Sequence, residues 1–102
     1  MPTRSKGSQK KHDDVVKRTA NSLKREGWEV SADIPGFPTP GPIGEQKRVP
    51  DVVATKHGHR RLVEVETPDS LGSAGEQLST FRRSAAQDPR TKFDVVVTEE
   101  QP

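Results

Sequence analysis

The runs Val49 to Lys56 and His59 to Thr67 are rich in β-forming residues and are separated only by His57-Gly58, a spacing compatible with a two-residue hairpin turn. This pair constrains the fold more than any other feature. If the chain doubles back there, Lys56 pairs with His59 and paired residue numbers keep a constant sum, so Asp51 comes to lie opposite Glu64. Side chains two apart on a strand share a face, which adds Glu66 to Asp51 and Glu64 and sends Val52, Ala54, Val63 and Val65 to the other side.

The remaining elements follow from periodicity. Val15, Val16, Ala20 and Leu23 recur at helical spacing, predicting a first helix over residues 13–26 that Gly27 stops. Trp28, Val30, Ala32 and Ile34 then alternate with polar residues as in a half-buried strand. Between residues 35 and 50, five prolines and three glycines rule out regular structure and leave a long loop with Lys47 and Arg48 near its end. After the hairpin, Pro68-Asp69-Ser70 breaks the strand and offers helix caps, and Ala74, Leu78, Phe81 and Ala85 form an apolar stripe for a second helix through about Ala86. Phe93 to Val97 is a continuous apolar run, as in a strand buried on both faces. The predicted order is helix, three strands, helix, strand.

Composition limits what these elements can build. A chain of 102 residues with 27% hydrophobic and 31% charged residues supports one domain, over residues 12–102, and a modest core. Residues 1–11 carry Arg4, Lys6, Lys10 and Lys11 with no acid, and are expected to form a disordered basic arm that either touches phosphates or merely solubilises. Without cysteine there are no disulfides or thiolate metal sites. No apolar stretch approaches membrane-spanning length and no signal-peptide core is visible, so no membrane partner is expected and the default location is cytoplasmic. The formal net charge of +2 gives only weak support for an anionic partner.

Three carboxylates on one sheet face repel one another and call for a compensating cation. A hard divalent ion such as Mg²⁺ (or Mn²⁺) takes carboxylate and carbonyl oxygens and is one such cation. The competing reading is a solvated acidic face, or acids paired with Lys47, Arg48, Arg60 or Arg61.

Pro50-Asp51, a gap of twelve residues and then Glu64-Val65-Glu66 resemble the PD-(D/E)XK nuclease motif, with Glu66 where the final lysine usually stands. The element order is similar to the αβββαβ core of this restriction-endonuclease-like superfamily, an α/β fold with a mixed four-stranded sheet flanked by helices. Gln77 followed by Phe81 resembles the glutamine and aromatic motif of the RecB-like branch, and the layout is similar to that of archaeal Holliday junction resolvases. The helix-one acid of many members falls on Val16 here, with Asp13 and Asp14 nearby. The resemblance implies a metal-dependent DNA phosphodiesterase of endonuclease or resolvase type. Asp51, Glu64 and the carbonyl of Val65 would hold Mg²⁺, Glu66 would orient water or a second metal, and Gln77 would steer substrate or water.

Lys10, Lys11, Lys47, Arg48, Arg82 and Arg83 are the candidates for the flanking backbone of DNA or RNA, and so small a scaffold favours a homodimer or larger nucleoprotein complex. The alternatives are a catalytically degenerate nucleic-acid-binding or protein-interaction module on the same fold, and a structural α/β protein with no nucleic-acid role. His57 and His59 read as turn residues rather than zinc ligands, since only His12 accompanies them. Trp28 reads as core ahead of a base-stacking platform. The serines of the second helix have no histidine near them in this layout, which argues against acyl transfer.

Overall fold

The computed structural model describes residues 6–44 and 46–98; the first five residues of the expected arm, Arg4 among them, lie outside that range. The elements are α1 (Lys6–Arg25), β1 (Glu29–Ala32), β2 (Val52–Lys56), β3 (His59–Glu66), α2 (Pro68–Leu71), α3 (Gly75–Ala86) and β4 (Thr91–Val97). The four strands form one sheet in the order β1-β2-β3-β4. β1, β2 and β3 are antiparallel neighbours and β4 runs parallel to β3, so the sheet is mixed and the fold is α/β with helices on its flanks.

The hairpin closes where the sequence requires. Lys56 pairs with His59 and Val52 with Val63. His57 and Gly58 have φ of 51° and 80°, the two positive values that a twist-matched two-residue turn needs. Alternation then sorts the core into two layers. Val52, Ala54, Val63 and Val65 pack with Ala32 against Val16, Ala20 and Leu23 of α1. On the opposite face, Leu62 packs with Phe81 of α3 and Ile43 of the loop, and Val53 and Phe93 close over them. Phe81 and Phe93 meet as a tilted ring pair with centroids 5.9 Å apart.

Four expectations are corrected. The helix begins at Lys6, not near Asp13, so Lys10 and Lys11 stand on a helix and not in a disordered arm. Gln9 donates to Asp13 and Lys10 to Asp14, both four residues apart on one face, and such pairs support a helical turn that has no apolar stripe of its own. Strand β1 is shorter than the alternation from Trp28 to Ile34 suggested, ending at Ala32. The second helix is interrupted: α2 ends at Leu71 and α3 starts at Gly75, with Gly72 and Gly75, poor helix formers, framing the break. β4 is an edge strand, not a strand buried on both faces; Val97 is 46% exposed, and α3 lends it partial cover.

The proline-rich loop is irregular, as its composition dictates, yet it is fastened at several points. Ile43 and Arg48 exchange two backbone hydrogen bonds of 2.8 and 3.0 Å, and Pro40, Ile43 and Pro50 are buried. The turn between them packs on α3 at Thr80. Among the described residues no helix is long and apolar enough to cross a membrane.

Candidate functional site

The end of the hairpin farthest from its tip carries the acids. The backbone N–H of Asp51 donates to Glu64 Oε1 at 2.8 Å, and the backbone N–H of Val65 donates to Asp51 Oδ2 at 2.8 Å. The expected opposition of Asp51 and Glu64 therefore exists, although β2 itself starts one residue later and the two are joined by side-chain-to-backbone bonds instead of a ladder rung. Gln77, reaching down from α3, donates its Nε2 to Glu64 Oε2. Glu64 is 1% exposed. Its burial, and after that the charge of Asp51, push its carboxyl up to about 9, with the Asp51 N–H and Gln77 opposing that rise.

Glu66 lies two residues on, on the same face of β3, and is equally buried at 2% exposure. Its Oε1 accepts a 2.8 Å hydrogen bond from Ser70 Oγ, and the same hydroxyl accepts from the backbone N–H of Thr67 at 3.1 Å. The strand's last acid is thus tied to the start of α2. Among the described residues, no three His, Asp or Glu side chains are grouped so as to hold a metal ion. The donor set at hand is the Asp51 and Glu64 pair with the Val65 peptide beside it. Two carboxylates with water and phosphate completing the shell suit Mg²⁺, so the residues present fit that ion without a third acid.

His12 is the residue that sequence reasoning missed. It is buried on α1, with Nε2 3.2 Å from Asp51 Oδ2 and Nδ1 2.9 Å from Asp13 Oδ1. Both ring nitrogens face carboxylate oxygens, so only the doubly protonated ring donates to both. No lysine or arginine among the described residues forms an ion pair with Asp51 or Glu64. Arg48 turns instead to Gln46 and Glu76, and Arg61 to Asp94. A buried histidine spaced four residues before Val16 on the apolar stripe was the available signal, and it was masked because the helix was expected to begin after it.

The basic candidates divide. Lys10 and Lys11 precede His12 on α1, Lys10 being paired with Asp14. Lys47 and Arg48 sit in the turn of the loop docked on α3, and a cavity beside that turn is lined by Gln46 and Arg83. Arg82 is exposed on α3 and borders a different cavity, beside β4. In comparisons with known proteins, no family model matches the chain and no curated protein matches it significantly.

Proposed function

We propose that this chain is a metal-dependent DNA phosphodiesterase of the PD-(D/E)XK type, acting as an endonuclease or resolvase on a restriction-endonuclease-like scaffold. The observation that carries the reading is the pair of half-buried Asp51 and buried Glu64, held at the strand ends by backbone N–H groups and Gln77 and, among the described residues, without a lysine or arginine partner. Burying two adjacent carboxylates is costly unless something compensates, and a divalent cation is the compensation that also serves phosphate chemistry. Asp51, Glu64 and the Val65 carbonyl would hold Mg²⁺ or Mn²⁺. When bound, the ion would supply a lowered pKa for a water nucleophile and neutralise charge on the scissile phosphate. Gln77 fixes the orientation of Glu64. Glu66, steadied by Ser70, adds negative charge where a lysine is usual and makes the site more dependent on metal. Lys10, Lys11, Lys47 and Arg48 would meet the flanking phosphates, with Arg82 and Arg83 on the α3 side.

The test is incubation with supercoiled plasmid, branched DNA and single strands in Mn²⁺ or Mg²⁺, comparing the wild type with Asp51→Ala. Metal-dependent cleavage that the substitution abolishes is the expected result, and cleavage unchanged by it sinks the assignment. A second reading, a degenerate module that binds nucleic acid or protein without cutting, is favoured by one observation: His12 Nε2 already sits 3.2 Å from Asp51 Oδ2, on an oxygen that a metal would need. Under that reading, Mg²⁺ leaves the NMR signals of Asp51 and Glu64 unmoved.

A further inference from the structure

At the other end of the sheet, helix α1 has run out. Its last turn and Gly27 hand the chain to Trp28, and the face that α1 covers over Val52, Ala54, Val63 and Val65 continues uncovered as Lys56, His59, Arg61 and Lys92. There a cavity of about 690 Å³ is lined by Trp28, Lys56, Arg60, Arg61, Arg90 and Lys92, and Asp94 is the one carboxylate in its wall.

We infer that this hairpin-tip cavity is a binding site for an unpaired stretch of nucleic-acid strand, separate from the acidic site. Arg61 and Lys92 are neighbours across the parallel pairing of β3 and β4, where like charges repel. Asp94 answers only Arg61, through a 3.0 Å bond to Nη2, and the Arg61 Nε is left buried without a hydrogen-bond partner. Arg90 leans over the tip, its Nη1 3.1 Å from where a side chain on Gly58 would begin. Asp88 accepts from the Arg90 backbone N–H and the Thr91 hydroxyl, and the charges of Arg90 and Arg60 also favour its ionised form. Among the described residues, Arg60, Arg90 and Lys92 make no close side-chain ion pair, and Asp88 answers Arg90 and Arg60 only at longer range. Three guanidinium groups and two ammonium groups spread over a concave wall match successive phosphates rather than one small anion.

The choice of an unpaired strand rests on Trp28. It is half-buried at the cavity wall, with Lys56 Nζ 5.8 Å and the Arg61 guanidinium 5.9 Å from its ring centre. An indole recessed among cations can be reached by a splayed base and not by a base pair within a duplex. Arg60 and Glu66 stand six residues apart on β3, so the two ends of the sheet are separated by about 20 Å. Binding here requires neither a metal nor cleavage at the acidic end.

Trp28 is the single tryptophan of the chain, which makes the cavity self-reporting. Titration of a short oligothymidylate into the full chain in EDTA should quench its fluorescence, with log affinity falling against log salt by about 0.7 for each phosphate held. Arg90→Gln with Lys92→Gln, both at exposed positions, should weaken binding by about tenfold and make the salt slope shallower by about 1.4, while Lys17→Gln on the exposed face of α1 leaves both unchanged. Circular dichroism checks that the double variant is folded. Unaltered Trp28 fluorescence at saturation, or a folded double variant within twofold of wild-type affinity, overturns the proposal. So does tighter binding of duplex than of single strand. Equal quenching by inorganic tripolyphosphate at matched charge would reduce the cavity to a simple phosphate site and overturn the assignment to a nucleic-acid strand.

Discussion

Asp51 and Glu64 hold each other through the main chain: Glu64 takes the Asp51 N–H, and Asp51 takes the N–H of Val65, the residue after Glu64. The reciprocity fixes two acids side by side in a place where neither is well solvated.

A pH dependence of stability follows. Glu64 titrates at its ordinary value of 4.5 when unfolded and at about 9 when folded, so between those values the native state binds the extra proton. Stability that is fully present below pH 4.5 is therefore lost as pH rises through about 9. Urea denaturation of the metal-free protein should show a lower midpoint at pH 9.5 than at pH 6, and Glu64→Gln should flatten the difference. Saturating Mg²⁺, which favours the ionised pair, should oppose the alkaline loss. An unchanged midpoint across this range in the wild type would contradict the burial of an ionisable Glu64.

Ser70 joins the end of β3 to α2. Ser70→Ala leaves the buried Thr67 N–H without its acceptor and removes the Ser70 bond to Glu66 Oε1, and should cost about 1–3 kcal/mol of unfolding free energy. Chemical denaturation measures it; a loss below a few tenths would show that water replaces the hydroxyl.

Gly44 holds the proline-rich loop against α3 at φ +78°, and an added Cβ would come within 2.8 Å of Thr80 Cγ2. Gly44→Ala should destabilise by about 1–3 kcal/mol, the range for a strained left-handed residue. Thr80→Ser in the same chain should recover only the steric share, which a double-mutant cycle isolates.

The hairpin, its register and the pairing of Asp51 with Glu64 were legible because they depend on contacts close in sequence and on a turn dipeptide whose backbone requirement is specific. Glu66 was placed on the correct face, but its tie to Ser70 depends on how the chain turns after Thr67, which alternation does not encode. His12 was hidden for a different reason. The turn from Lys6 to Lys11 is helical without an apolar stripe, supported by side-chain pairs such as Gln9 with Asp13, so periodicity gave it no weight. The loop from 35 to 50 read as irregular, which it is, but the burial of Ile43 depends on Phe81 of α3 being present to receive it. The exposed edge position of β4 depends on sheet order, and an apolar run looks the same whether its outer side meets protein or water.

The parallel rung between Arg60 and Thr91 spans a much longer stretch of chain than the rung between Lys56 and His59, which bridges a two-residue turn. Closing the short loop takes microseconds, whereas the long one must wait until the intervening helices have condensed. The hairpin tip is thus set early from nearby chain, and the cavity beside it is completed late, when Arg90 and Lys92 arrive. Pulsed amide exchange during refolding should find Arg61 and Val63, whose N–H groups face β2, protected before Asp94 and Val96, whose N–H groups face β3.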